Sequence, residues 1–499
     1  MKFPSIVAVS LAVTTMSAGL SIATPAQARQ DLATQNQSAA TAPRGDFPSI
    51  VAAYSLVAPT SASKSNLVAR AIVKAGRSCP TLNVSNGAVA RQLKMSKRSP
   101  GRTALPGFST YTVCTKSIPR GSKRASIAAH TIPASMPTSI KKLAMVADTG
   151  CRVLSPEFQD CLSPTQWPMK AISRSIAAQR PQIILNPGDY YYREGPCPPA
   201  EQALCAGTPP PVPGMPFTDS DKGWVADVVA PMSPLFKVAP LLLARGNHEA
   251  CDRAGNGFFL FFDPRPNSAA ACAPIQTSGG LVAPPPATTP TWAVTLRVNA
   301  RRTLRVAMVD SAYGEDDKIS SWAPTQRTSY LQAKSLTPAA KGRESWLMTH
   351  RPTFGHGSTT LAPSDPKWTP WVSLDQTAAS YGLLGTYSML LSSHVHLTQS
   401  VQIPGQPGSL IIGNGGTSLE PPTGYANPPF GPLAKADGAP VSPDYTPYPA
   451  ATNDWTQVAF GYAIATPGKA SQSWSIVHRS PSGKRTGQCA KVGRTIACS

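Results

Sequence analysis

The sequence has 499 residues, 41% hydrophobic and 14% charged, a balance that excludes an intrinsically disordered chain and a length that leads us to expect two domains. Its formal net charge of +21 is uneven: residues 29–140 hold 15 Lys+Arg against two acids, residues 455–499 hold six against none, and the middle is nearly neutral. With no recognisable nucleic-acid motif, this pattern argues against a specific nucleic-acid partner. The basic flanks read either as weak adsorption to an anionic envelope polymer or membrane surface, or as solvated surface charge.

The N-terminus reads as an export signal over residues 1–28: Lys2, the apolar run Ile6 to Val13, and the small-x-small site Ala26-Gln27-Ala28. An exported protein, periplasmic or secreted, is expected. The ten cysteines agree with that, and in chain order they form near neighbours: Cys79 with Cys114, Cys151 with Cys161, Cys197 with Cys205, Cys251 with Cys272, and Cys489 with Cys498. A thiolate metal site is the weaker alternative, since no CxxC occurs. Residues 29–65, rich in Ala, Ser, Thr and Pro, read as a flexible linker or arm. Residues 66–137 alternate short β-type runs with Gly/Pro/Ser turns and read as a small, basic, all-β module. A catalytic domain is expected over 138–499.

Within it, Leu143 to Ala147 is a wholly apolar run, as expected of a buried strand. Trp167 to Arg180 reads as a helix with Met169, Ile172 and Ile176 on one face, and Ile183 to Leu185 as the next strand. Strand, helix, strand points to an α/β fold. Further runs come at Leu241 to Ala244, Leu304 to Val309, Trp346 to Met348, Ser388 to Leu391 and Leu410 to Ile412, with closing strands at Phe460 to Ala463 and Trp474 to Val477. Proline-rich loops at 273–290 and 420–453 interrupt them.

The residue types just past these strands point to chemistry. Asp148-Thr149-Gly150, Gly188-Asp189-Tyr190-Tyr191-Tyr192, Gly246-Asn247-His248-Glu249, Thr349-His350 and Ser393-His394-Val395-His396 each deliver a polar ligand type at a strand's carboxyl end, where α/β sheets bind ligands. Four of the seven histidines fall there. This mix of hard oxygen and imidazole donors suits Fe, Mn or Zn.

These blocks resemble those of the calcineurin-like metallophosphoesterase superfamily, over about residues 143–416. Gly150 stands where most members carry His, and Tyr192 comes three residues after Asp189, which is similar to the purple acid phosphatase branch. The resemblance implies a four-layer α-β-β-α sandwich holding two metal ions. By position, Asp189 bridges them, Asp148, Tyr192 and His396 complete the first site, and Asn247, His350 and His394 the second. Tyr192 as a packing residue is the alternative. A phenolate favours Fe(III) at the first site, with Zn, Mn or Fe(II) at the second. The implied activity is hydrolysis of small phosphate esters by water activated between the cations, with monoesters first and diesters or nucleotides second; a metal-containing binding protein is the third reading. His248 is either the general acid or a hydrogen-bonding group on the phosphate. Glu249 orients a neighbour, and Arg152, Arg193, Arg351 and His356 are candidate substrate contacts. Ala147 and Ser393 depart from the glycines usual at their places.

Overall fold

The computed structural model describes residues 50–98, 105–205, 207–208, 210, 218–265, 272, 288–314, 323–358, 370–373, 382–420 and 452–499. The expected export signal, and most of the expected arm and of the two proline-rich loops, lie outside them.

The apolar run beginning at Leu143 forms the strand Leu143–Met145 inside an 11-stranded sheet. In spatial order the sheet runs Thr495–Cys498, Arg485–Val492, Ser473–Arg479, Tyr462–Pro467, Leu143–Met145, Ile183–Asn186, Leu241–Leu243, Ile50–Ser61, Lys64–Lys74, Tyr111–Ser117 and Ser96–Lys97. Its centre is parallel, with Ile183 opposite Leu143, Leu185 opposite Leu242 and Leu56 opposite Leu241. A second sheet of seven strands runs Trp292–Arg297, Thr303–Met308, Arg343–Met348, Met389–Ser392, Gly408–Ile412, Thr398–Gln402 and Asn453–Gln457. It too has a parallel centre, from Thr303–Met308 to Gly408–Ile412.

Side chains alternate across a strand, so a run that is apolar throughout must be covered on both faces. Leu143 and Met145 share one core with Leu185, Leu242 and, from the second sheet, Val306, Trp346, Met348 and Leu391. Ala144 and Val146 face the other way, onto Ile172 and Ile176 of the helix Met169–Gln179 and onto Trp224 and Phe258. On the second sheet Ala307, Leu347 and Leu390 meet Tyr330 and Ala333 of the helix Ala323–Leu336. A buried ion pair also joins the sheets. Lys491 of the first contacts Glu344 of the second, whose carboxylate accepts from Trp346 Nε1 (2.9 Å) and Trp474 Nε1 (2.8 Å).

Two boundaries differ from the sequence reading. The C-terminal part of the expected linker is the strand Ile50–Ser61, and the expected module is not separate, because Lys64–Lys74 and Tyr111–Ser117 continue the same sheet. The small residues that suggested a linker are what a strand hemmed in on both faces accommodates: Ala53 and Val57 face the inter-sheet core, Ala52, Tyr54 and Leu56 the helical side. Only the four-stranded sheet from Thr81 to Ile132 stands as a local β unit, and its apolar side (Leu82, Val84, Ile127) joins the common core. Deleting residues 29–137 is therefore expected to abolish soluble expression, because it strips the strand beside Leu241–Leu243 and uncovers both cores. A soluble truncate with a cooperative melt would contradict this.

All five cysteine pairs close in sequential order, Cys79–Cys114, Cys151–Cys161, Cys197–Cys205, Cys251–Cys272 and Cys489–Cys498.

Candidate metal centre

The parallel strands of both sheets end on one side, and the turns after them carry the polar blocks. Three of these residues sit in left-handed backbone: Asp148 (φ 53°), Asp189 (φ 55°) and His394 (φ 76°). Such conformations cost about 1–3 kcal/mol each in a non-glycine residue, and persist where the surroundings over-determine them. Here the turns lock one another. Thr149 N donates to Asp189 O (3.0 Å) and His394 N to Asp148 Oδ2 (3.2 Å). Two glycines permit the close approach. A Cβ on Gly246 would fall 1.9 Å from Asp189 Oδ1, and one on Gly188 2.7 Å from His350 Nδ1.

Seven side chains converge. Tyr192 Oη lies 2.8 Å from Asp148 Oδ1, 2.9 Å from Asp189 Oδ2 and 3.1 Å from His396 Nε2. On the other side of Asp189, His350 Nε2 lies 3.1 Å from Asp189 Oδ2, 2.8 Å from Asn247 Oδ1 and 3.1 Å from His394 Nδ1, which is itself 2.9 Å from Asn247 Oδ1. Asp189 Oδ2 thus belongs to two groups of donors at once.

The electrostatics show what the group lacks. Burial, then the Asp189 charge, pushes the Asp148 carboxyl well above its ordinary range. Burial opposes ionisation of Asp189 as well, but His350 and His248 outweigh it and hold that carboxyl well below its ordinary range. The Tyr192 phenol is pushed well up by burial and by both carboxylates. His394 and His396 are pushed well down, by burial first and then by Arg351 and Arg152 respectively. Neutral imidazoles keep a lone pair, and one imidazole N–H cannot serve the three close neighbours of His350 Nε2. Two buried carboxylates, an amide oxygen, a phenol and three imidazoles, crowded within hydrogen-bonding distance, therefore fit cations better than they fit one another.

The supporting contacts hold this arrangement. His350 Nδ1 lies 2.9 Å from Ser393 Oγ, which turns Nε2 toward Asp189, Asn247 and His394. The Ser393 that departed from the usual glycine is thus an orienting partner, a role its sequence position did not reveal. Ser393→Ala is expected to weaken cation affinity about 10–100-fold without unfolding the protein, as competitive chelator titration would measure. Glu249 accepts from the backbone N–H groups of Asp189 (3.1 Å), Tyr190 (2.8 Å), Tyr191 (3.1 Å) and Gly246 (3.1 Å), tying the Asp189 turn to the Asn247 turn. His248 N donates to Asp189 Oδ1 (2.9 Å). Its ring packs against that of Tyr192 at a tilt of 36°, with Nε2 3.7 Å from Asp189 Oδ2 and Nδ1 2.8 Å from Glu194 Oε1. Arg253 grips Glu194 through Nε (2.8 Å) and Nη2 (3.0 Å). Neither Glu194 nor Arg253 was evident from the sequence, where each reads as surface charge.

The arginine candidates separate. Arg193 is buried against Asp227, Thr208 and Cys205 O, so it is structural rather than a substrate contact. Arg351 Nη1 lies 3.0 Å from His394 Nε2, at the second donor group. Arg152 pairs with Glu157 (2.9 Å) and stands 6.0 Å from the Tyr192 ring centroid. His356 is on the strand Gly355–Ser358, opposite Val372. A grouping of His478 with Cys489 and Cys498 offers no thiolate, since both sulfurs are in a disulfide.

No family model matches the sequence, and no curated protein matches it. Among solved structures it is similar to a purple acid phosphatase from yellow lupin (Lupinus luteus) seeds, at 12% identity over 87% of this chain and 73% of that one, TM-score 0.48. It is similar to PhoD at 11% identity over 92% and 93%, TM-score 0.47. A dimetal phosphatase from Danio rerio matches at 11% identity over 71% and 99%, TM-score 0.32. Within the converging group Gly150 packs against the Tyr190–Tyr192 turn. A Cβ there would meet Tyr190 O at 2.6 Å and Tyr192 Cδ2 at 2.8 Å, so the Tyr192 ring takes the space that a larger residue 150 would need.

Proposed function

We propose that the chain is an exported two-cation phosphoesterase that hydrolyses phosphate monoesters, built on a four-layer α-β-β-α frame. The observation that carries this reading is the sharing of Asp189 Oδ2 between two donor groups. Asp148, Asp189, Tyr192 and His396 would hold the first cation, and Asp189, Asn247, His350 and His394 the second. Two cations so held lower the pKa of a water and neutralise phosphoryl oxygens.

The chain's own residues supply the rest. His248 presents Nε2 beside Asp189 while Glu194 occupies Nδ1, so the ring is set to give a proton to a leaving oxygen from Nε2. Arg253 fixes Glu194, which makes Glu194 and Arg253 positioning residues. Arg351, at the second donor group, is placed to draw a phosphoryl oxygen toward it.

The phenol of Tyr192 favours Fe(III) in the first site, with Zn, Mn or Fe(II) in the second. Protein loaded with iron is expected to show a visible charge-transfer band that Tyr192→Phe abolishes; a band that survives in the variant would remove the phenolate. The function itself is tested with an aryl phosphate monoester and its diester. Hydrolysis of the monoester first, lost on chelation, supports the proposal. Preference for the diester would favour a phosphodiesterase or nucleotidase, and no hydrolysis of either at any pH a binding protein.

A further inference from the structure

We propose that the outer face of the four-stranded sheet is a docking groove for a linear, phosphate-bearing polyanion. The sheet orders Ala90–Lys94, Thr81–Ser85, Arg124–Ile127 and His130–Ile132, and its register sets Gln92, Asn83, Ser126 and Thr131 in one row across all four strands. Leu82, Val84, Ile127 and Ile132 of the same strands are buried in the inter-sheet core, so that row belongs to the outward side. The sheet is not a flat solvated face. It borders a concavity of about 700 Å³ whose lining takes in residues of both rows, including Arg91 in register with Val84, together with Lys123, Arg124 and Lys237. A second concavity, of about 520 Å³, shares Lys123 and Ala134 with the first and extends the track to Arg120.

Three features define the occupant. The five cations are exposed, and among the described residues neither concavity is lined by an acid, so the track repels cations and neutral ligands gain nothing from its charge. The floor offers hydroxyl and amide groups, which hydrogen-bond to oxyanions. Each concavity has the volume of a whole small-molecule site, on the order of 300–1,000 Å³, so the pair exceeds what one phosphate fills and suits a chain. Among the described residues the lining contains no Phe, Tyr or Trp, and hence no platform on which bases would stack, which disfavours single-stranded nucleic acid. Its concavity disfavours a planar lipid surface. None of the seven converging side chains lines the groove, so this inference goes beyond the phosphoesterase reading and is tested without it.

The experiment measures binding of end-labelled long-chain inorganic polyphosphate to the full chain by fluorescence anisotropy, in chelator so that the metal centre is inactive. Wild type is expected to bind, with affinity falling steeply as salt rises. The variant Arg91→Gln/Lys123→Gln/Arg124→Gln is expected to bind at least about tenfold more weakly with a shallower salt slope, while its melting temperature and its hydrolysis of a small aryl phosphate stay at wild-type values. Equal binding by the variant, or none by wild type at low salt, would overturn the proposal. So would tighter binding of single-stranded DNA, a sulfated glycan or anionic vesicles than of polyphosphate. Single inorganic phosphate is expected not to compete at concentrations that match the polymer in phosphate; full competition would reduce the groove to a site for one anion and overturn the polymer assignment.

Discussion

Asp189→Asn is expected to reduce bound cations from two per chain to one or none and to lower kcat/KM by at least about a thousandfold, since charge stabilisation carries most of phosphoryl transfer. The substitution keeps the shape and removes the charge. One carboxylate oxygen faces both Tyr192 Oη and His350 Nε2, and the other accepts from His248 N, so no neighbouring acid can take its place. Asp148 is the nearest alternative. Burial and Asp189 already raise its carboxyl, its Oδ1 faces Tyr192 and His396, and its Oδ2 accepts from the backbone N–H of His394. Elemental analysis of the purified variant measures the first effect, and steady-state hydrolysis of an aryl phosphate the second. The exposed Asp252→Asn serves as control and is expected to retain both cations and full turnover. A variant at 189 that kept two ions and wild-type rate would end the two-cation reading.

The polar blocks that converge could be read from the sequence because each sits a few residues past an apolar run. An apolar run long enough for one strand, with Asp, Asn or His within a few residues of its end, places that residue near a sheet's carboxyl end. The seven side chains assigned through the resemblance meet in one place. The supporting layer was not legible, for a physical reason. Glu194 and Arg253 are charged residues in turns, which in sequence look like solvated surface. Only the fold, which buries Glu194 between Arg253 and His248, gives them a role. Arg193 shows the converse. Adjacent to Tyr192, it looked like a phosphate contact, but its chain direction sends it toward Asp227.

The fold divides in the same way. The strands of the parallel centres announced themselves by apolar runs, and the disulfides by the spacing of the cysteines. The strand Ile50–Ser61 did not, because the Ala, Ser, Thr and Pro of residues 29–65 as a whole masked the apolar Ile50, Tyr54, Leu56 and Val57. Its place is set by pairing on both edges, with Leu241–Leu243 on one side and Lys64–Lys74 on the other. Pairing is a non-local fact, and no local pattern encodes it. The four-stranded unit was legible as β structure but not as part of the larger body, since what joins it is the shared burial of Leu82, Val84 and Ile127.

The role of His248 separates by leaving group. If its Nε2 gives a proton to the departing oxygen, His248→Gln should slow hydrolysis of an alkyl phosphate by about 10²–10⁴-fold, the usual contribution of general acid catalysis. A nitrophenyl phosphate departs as a stable anion and needs no proton, so its hydrolysis should slow by less than about tenfold by the same logic. Glu194→Gln should show the same asymmetry at smaller size, about tenfold on the alkyl ester, because it removes the carboxylate that seats Nδ1 and not the donor itself. Arg253→Gln should behave like Glu194→Gln, since its Nε and Nη2 contacts fix that carboxylate. Equal losses on both esters in His248→Gln would assign the ring to hydrogen bonding with the phosphate, a contact made regardless of what departs. Losses at Glu194 that did not depend on the leaving group would mean that the buried Glu194–Arg253 pair supports the fold of the turn and not the orientation of the imidazole.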